Sequence, residues 1–252
     1  MTTARPIPAL SLRGIDKSFG AVKALSSIDL DIYPGEVVAL VGDNAAGKST
    51  IAKVIAGVIT PDAGIIESDG VPVTIPSPTS AHALGITTVF QELALVENLD
   101  IVSNLYLGRE LRRGSMLLES EMEEVARQVL RDLTIRVPSV RTLVADLSGG
   151  QRQAVAIART LLGHPRIVVL DEPTASLSVS STAEVLTLIE RLRDLGHGVV
   201  LISHNMGDVR AVADRIEVLR HGRNNGSFAA RTVSYEDIIA AITGAVDFSN
   251  RR

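Results

Sequence analysis

Two spacings of apolar residues take turns along this chain. Residues 37–41 and 167–170 are short apolar runs with no polar interruption, and 199–203 is apolar up to its last residue. Runs of that length without alternation predict strands buried on both faces. Residues 86–90 and 216–219 read as further strands, the latter ending at a His221-Gly222 turn. Residues 27–32, Ser-Ile-Asp-Leu-Asp-Ile, alternate with period two and predict a half-exposed strand that Pro34-Gly35 ends. The turn signals Pro61-Asp62-Ala63-Gly64 and Ser68-Asp69-Gly70 bracket short strands, and Asn224-Asn225-Gly226 reads as a turn or loop tip. Helices are predicted over 47–56, with Gly57 as a cap, over 182–195, and over 234–243 with Ser234 as N-cap.

From about 92 to 163 the period becomes helical. Ser120-x-x-Glu123 predicts a capping box, and behind it Met122, Val125, Ala126, Val129, Leu130 and Leu133 fall on one helical face. Ser148-x-x-Gln151 predicts a second box, opening a helix that runs to about Leu162 before Gly163 and Pro165. The pattern is that of an α/β domain interrupted by a helical insert.

Composition narrows the picture. Of 252 residues, 46% are hydrophobic but only 3% aromatic, with no Trp, so the core is aliphatic, as suits parallel strands covered by helices. A net charge of −4 provides no basic field for nucleic acid. The absence of Cys excludes disulfides and thiolate metal sites and fits a reducing compartment. The opening MTTARPIPAL has no apolar run of signal-peptide length, and no apolar run is long enough to span a bilayer. A soluble chain is expected, with any membrane role exercised through a partner.

Residues 42–50, Gly42-Asp43-Asn44-Ala45-Ala46-Gly47-Lys48-Ser49-Thr50, fit the phosphate-loop pattern G-x-x-x-x-G-K-[ST]. Glycines let the backbone curl close to a ligand, its N–H groups and the following helix N-terminus stabilise anionic oxygens, Lys48 brings a point charge to the β and γ phosphates, and the Ser49 hydroxyl is placed for Mg²⁺. The apolar run 167–170 ends in Asp171-Glu172-Pro173, which puts two acids at the carboxyl edge of the sheet. Asp171 there can hold Mg²⁺ through water, and Glu172 can orient and polarise an attacking water. Read alone, the same residues also describe a strand ending in a solvated acidic turn. Ser148-Gly149-Gly150-Gln151 is a Gly-rich helix start whose free N–H groups suit a phosphate, and Ser148 is equally a plain helix cap.

Taken in order, these motifs resemble the nucleotide-binding subunit of an ATP-binding-cassette (ABC) transporter over nearly the whole chain. The resemblance implies a P-loop α/β core with an N-terminal antiparallel β subdomain and an inserted helical subdomain near 92–162, one domain over 7–244 and a short tail over 245–252. It casts Phe19 as the aromatic stacked on adenine, residues 42–50 as Walker A, Gln91 as the metal-facing glutamine at the junction with the helical subdomain, and Leu147–Gln151 as the family signature that reaches ATP across a dimer. Asp171 and Glu172 resemble Walker B and the catalytic glutamate, and His204 the switch histidine. Without that context Phe19 reads equally as a core aromatic, Gln91 as a surface glutamine and His204 as a structural histidine.

Three positions depart from the family pattern: Ala45 where Gly is usual, Ser178 where the D-loop often ends in Asp, and Phe19 where Tyr is common. Gln91-Glu92-Leu93, Leu107-Gly108-Arg109-Glu110, Ile202-Ser203-His204-Asn205-Met206 and Val212-Ala213-Asp214-Arg215 are similar to the ATPases of bacterial ribose, xylose and fructose importers. The resemblance implies ATP and Mg²⁺ as ligands and catalytic roles for Lys48, Glu172 and His204. It also implies a homodimer, since one cassette is present, at the cytoplasmic face of the membrane, with transmembrane permease subunits and, indirectly, an extracytoplasmic sugar-binding protein. A soluble ABC ATPase outside transport and a P-loop small-molecule kinase are the alternatives. The first would need a coiled-coil insert or tandem cassettes, and the second has no use for the signature or His204.

Overall fold

In the computed structural model, which describes residues 7–248, the chain opens on two long antiparallel strands, β1 (Leu10–Phe19) and β2 (Val22–Ile32). The run 37–41 is β3 (Val37–Val41), buried throughout, and leads through residues 42–47 into α1 (Lys48–Ile55). Strands β4 (Ala63–Ser68) and β5 (Val71–Val73) complete an antiparallel sheet ordered β2-β1-β4-β5. A short helix α2 (Pro78–Ala83) precedes β6 (Ile86–Val89). Then come α3 (Ile101–Tyr106), the small hairpin β7 (Arg112–Arg113) and β8 (Met116–Leu117), α4 (Glu119–Asp132) and α5 (Gly149–Leu161). The chain returns through β9 (Ile167–Asp171), α6 (Val179–Asp194), β10 (Gly198–Ile202), α7 (Met206–Val212), β11 (Arg215–Arg220), β12 (Arg223–Ala229) and α8 (Tyr235–Thr243). The second sheet is ordered β12-β11-β3-β10-β9-β6 and is parallel except for the β11–β12 hairpin.

The uninterrupted apolar runs have a direct cause. Val37, Ala39 and Val41 of β3 face a core built with α3 to α8, whereas Val38 and Leu40 face a second core built with α1, β1, β2 and β4. The split repeats on β9, where Val168 and Leu170 join the first core and Ile167 and Val169 the second, and on β10 with Val199 and Leu201 against Val200 and Ile202. A strand with a core on each side has no face for a polar residue.

The 27–32 alternation is visible as Ile28, Leu30 and Ile32 buried between more exposed residues, although β2 begins five residues earlier. Ser27 sits at φ 53°, a left-handed kink that periodicity does not register. The predicted Ser120–Glu123 box does not form. Helix α4 starts at Glu119 with Leu118 at the N-cap position, and Arg127 and Arg141 engage the Glu123 carboxylate that would have reached back. Val125 is exposed, while Met122, Ala126, Leu130 and Leu133 are buried as expected. Residues 224–226 are not a loop tip but part of edge strand β12. The Asn224 amide bonds the N–H and C=O of Asp29 in β2, and Asn225 Nδ2 donates to the Ala241 carbonyl in α8 (2.6 Å), so both polar side chains serve as cross-links. Phe248 is buried edge-to-face on Phe228, ring centroids 5.3 Å apart, so the chain is anchored beyond residue 244. The end of the expected tail, 249–252, lies outside the described residues.

The segment after Gln91 has no regular structure until α3, and one buried side chain bonds four of its backbone groups. Asn104, fully buried, accepts the Val96 N–H (2.7 Å) and donates to the carbonyls of Val96, Leu99 and Asp100. Asn104→Leu would leave the Val96 N–H without a partner, at about 1–3 kcal/mol, while the three carbonyls keep the N–H groups of Leu99, Val144 and residue 104. The expected result is a melting temperature lower by roughly 2–10 °C. A shift within one degree in a thermal scan would refute the stapling role.

Candidate functional site

The phosphate-loop sequence lies where β3 leaves the sheet. Gly42 has φ 150°, and a Cβ there would sit 2.2 Å from the Leu219 carbonyl oxygen of β11. Gly47 has φ 105°, and a Cβ would come 2.8 Å from Leu25 Cδ2. Both positions therefore exclude side chains for reasons of space as well as conformation. Ala45 has φ 64°, the left-handed region in which Gly is at ease and Ala is strained by about 1 kcal/mol. The departure from the family pattern at that position is carried as backbone strain. Lys48, buried, donates from Nζ to the carbonyls of Gly42 (2.7 Å) and Asp43 (2.9 Å), folding its ammonium back under the loop. Burial lowers its pKa, and Glu172, Asp43 and Asp171 oppose that shift.

Beside this loop opens a cleft of about 620 Å³. Asn44, Ala45, Ala46, Gly47, Lys48, Ser49 and Thr50 line it, together with Gln91, Asp171, Glu172 and His204, which come from three other segments of the sheet edge. Gly42 and Asp43 line an adjoining hollow with Ser203, His204 and Asn205. Phe19 lines the far end of the cleft, 48% exposed and with Lys17 Nζ 5.8 Å from its ring centroid, and is not a core aromatic. His204 is exposed rather than structural, and its Nδ1 lies 2.8 Å from Glu172 Oε2. Glu172 itself has φ 52°, a left-handed conformation held by its N–H donating to the Ile202 carbonyl (2.9 Å). Asp171 at the end of β9 is half buried; burial raises its pKa and the neighbouring Glu172 raises it further, against Lys53 and Lys48.

Among the described residues no cluster of three or more His, Cys, Asp or Glu is placed to hold a metal by itself. The cleft does gather three oxygen donors, the Ser49 hydroxyl, the Gln91 amide and the Asp171 carboxylate. A hard cation that takes its remaining ligands from phosphate and water fits such a set, and would relieve the crowding of the two acids.

The four signature residues stand apart. Ser148, Gly149, Gly150 and Gln151 do not line the cleft. The capping box of α5 is formed in both directions: Ser148 Oγ accepts the Gln151 N–H (3.1 Å) and Gln151 Oε1 accepts the Ser148 N–H (3.0 Å). The two glycines have a packing reason. A Cβ on Gly149 would touch Leu177 Cδ2 at 3.0 Å, and one on Gly150 would press on Ser181 Cβ at 2.8 Å. Ser178 is the N-cap of α6, accepting the Ser181 N–H, so it supplies the cap that an Asp could give there.

Sequence reasoning missed part of the cleft wall. Val22, Lys23 and Ala24 of β2, Ala175 and His221 also line it. The 221–222 turn reaches the site because Gly222 N–H donates to the Ala46 carbonyl and the Ser26 N–H to the Gly222 carbonyl. Only the closeness of Phe19 in sequence pointed to residues 22–24, and nothing local pointed to His221. A second hollow of about 480 Å³, lined by His82, Phe90, Glu92, Leu93, Arg109 and Arg159 among others, lies between α2, β6 and α5. Arg109 donates there to the Arg159 carbonyl, and Arg159 Nη1 to the Ala94 carbonyl (2.9 Å), so neither guanidinium is matched by a carboxylate in an ion pair among the described residues.

Known proteins share this chain's sequence pattern and fold. The sequence profile of the family described as "ABC transporter" matches residues 25–175. The xylose/arabinose import ATP-binding protein XylG of Sulfolobus acidocaldarius is 42% identical over 247 residues, covering 96% of this chain and 98% of its own. The fructose import ATP-binding protein FrcA of Rhizobium meliloti is 43% identical over 246 residues, covering 94% and 95%. The solved dimeric structure of a bacterial ABC transporter cassette superposes with a TM-score of 0.73 at 26% identity, covering 89% of this chain and all of that one. The chain belongs to the ABC transporter family, as an ATP-hydrolysing cassette.

Proposed function

We propose that the chain is the ATPase of an importer for a monosaccharide and acts as a homodimer. Each ATP would lie between the cleft of one copy and the first turn of α5 in the other. The observation that carries this reading is the division of the site. One cleft collects Phe19, the phosphate loop, Asp171, Glu172 and His204, while Ser148–Gln151 face elsewhere on the same chain. A second copy supplies what the first lacks.

In this reading Phe19 stacks on adenine, and residues Gly42 to Thr50 wrap the phosphates. Lys48 leaves its carbonyl partners for the β and γ oxygens. Ser49, Gln91 and, through water, Asp171 would hold Mg²⁺, which when bound would supply charge neutralisation for the phosphates. Glu172 orients and polarises the attacking water, and His204, already beside Glu172, meets the γ-phosphate. The catalysis is mainly positioning and charge stabilisation. The catalytic domain covers 7–244 with its helical insert about 92–162.

The sugar assignment rests on the relatives being import ATP-binding proteins for xylose/arabinose and for fructose. Among the described residues no helix is long and apolar enough to cross a membrane. In this reading transport goes through separate permease subunits, as the relatives' role as import ATP-binding proteins supports, with this chain bound peripherally at their cytoplasmic face. The hollow around Arg109 and Arg159, reached through the segment after Gln91, is the surface that would meet the permease. An extracytoplasmic binding protein would deliver the sugar.

ATP turnover by the purified chain should rise faster than linearly with protein concentration wherever light scattering shows monomer. A linear dependence over that range would sink the shared-site reading. In proteoliposomes with the permease, turnover should rise on adding binding protein loaded with a pentose or hexose, and indifference to both sugar classes would sink the substrate assignment.

A further inference from the structure

We infer that Asp208 is a positioning residue for hydrolysis: through the Thr174 hydroxyl it fixes the turn carrying Glu172 against the helix that follows His204. The inference rests on the roles proposed above for Glu172 and His204.

Asp208 lies in the first turn of α7 and is only 7% exposed. No Lys, Arg or His forms an ion pair with it among the described residues. Its Oδ2 instead accepts the Thr174 hydroxyl at 2.6 Å, the short distance of a charge-assisted bond. A carboxylate buried for the sake of one neutral hydroxyl is an expensive way to fill space, and a merely apolar contact would be more stable there. What the bond does accomplish is mechanical. The turn after Glu172 is closed on itself by Ala175 N–H to the Glu172 carbonyl and Leu177 N–H to the Thr174 carbonyl. These bonds shape the turn but do not attach it to the rest of the domain. Attachment comes at one end from the Glu172 N–H on Ile202, and at the other from Thr174 on Asp208.

The His204 side is equally braced. Asn205 donates its N–H to Ser203 Oγ (3.0 Å), and its Oδ1 accepts the N–H groups of Gly207 (2.9 Å) and Asp208 (3.4 Å). The contacts therefore close a ring, from Glu172 along the turn to Thr174, across to Asp208, back through Asn205 to His204, and from His204 Nδ1 to Glu172 Oε2. Two loops that carry separate functional side chains are held in one register. Glu172 needs that support because its left-handed backbone is strained for a residue with a side chain. Freed from Asp208, the turn can relax and carry the carboxylate away from a water in line with the γ-phosphate. A displacement near 1 Å costs on the order of 100-fold in rate.

The test compares Thr174→Val, Asp208→Ala, Asp208→Asn and the Thr174→Val/Asp208→Ala double variant in the full chain, by kcat, KM for ATP and nucleotide affinity. Thr174→Val and Asp208→Ala should each lower kcat about 10- to 100-fold, with nucleotide affinity changed by less than about twofold. The double variant should be no slower than the slower single, because both remove one bond. Asp208→Asn, whose amide oxygen still accepts the hydroxyl, should recover most of the rate. In a Glu172→Gln background, Thr174→Val should lower the residual rate no further. Unchanged kcat in Thr174→Val, additive losses, or a further loss in the Glu172→Gln background would each overturn the inference. Thr174→Val is nearly isosteric and keeps the test decisive if Asp208→Ala fails to fold. Full turnover in Glu172→Gln alone would overturn instead the reading on which the inference stands.

Discussion

Glu172→Gln protein should bind ATP as tightly as the parent, hydrolyse it at least about 100-fold more slowly, and accumulate as a dimer when ATP and Mg²⁺ are added. The amide matches the carboxylate in size and keeps an oxygen toward His204 Nδ1, now 2.8 Å away, so the cleft keeps its shape. An amide is a poor base, and it removes the one neighbouring charge that adds to burial in raising the Asp171 pKa. ATP-driven closure proceeds while the reopening step fails. Size exclusion with light scattering reads the dimer directly, and phosphate release reads the rate. A Glu172→Gln chain that stays monomeric with ATP and turns over normally would end the proposed mechanism.

The second large effect is a recovery. Lys48→Ala and Ser148→Arg chains should each be nearly inactive, since the first loses the buried ammonium under the phosphate loop and the second blocks the mouth of α5. Loss of one such charge or donor is worth on the order of 100- to 1000-fold. Mixed in equal amounts, they should regain about one quarter of the parent turnover, because half the dimers are mixed and each of these carries one intact site. That site pairs the cleft of the Ser148→Arg chain with Ser148 of the Lys48→Ala chain. No single copy can produce the recovery, because Ser148 lies outside its own cleft. Ser148 also caps α5, so Ser148→Arg loses about 1 kcal/mol of stability, and a melting curve checks that the variant is folded. A mixture no more active than its components would refute the shared site.

The parts legible in the sequence were those whose cause is local. Val37–Val41 and residues 167–170 and 199–203 declared themselves because a strand between two cores leaves no polar position. The Ser148 box and the Ser234 cap were legible because donor and acceptor are three residues apart. Ser120–Glu123 has the same spacing and failed, since Arg127 on the same helix and Arg141 from beyond it took the acid. Asn224 and Asn225 looked like turn residues because their partners, Asp29 and Ala241, are distant in sequence. The cleft was read through its motifs, but His221 entered it because its neighbour Gly222 bonds to Ala46 and Ser26, contacts that only the fold creates. The kinase alternative falls away against relatives that are import ATP-binding proteins.

The place of β3 in its sheet also has a consequence for how the protein is made. Its two neighbours, β10 and β11, begin roughly 160 and 180 residues later in the chain, as the pairs Val37–Val199 and Val38–Arg215 require. At about 5–20 residues per second, a ribosome needs on the order of 10–30 s to deliver them. During that interval the nascent chain carries Val-Val-Ala-Leu-Val, a segment of high β-propensity and no charge, with neither edge paired. What can shelter it in that interval is the antiparallel sheet β2-β1-β4-β5, complete by residue 73, which with α1 shares a core with Val38 and Leu40.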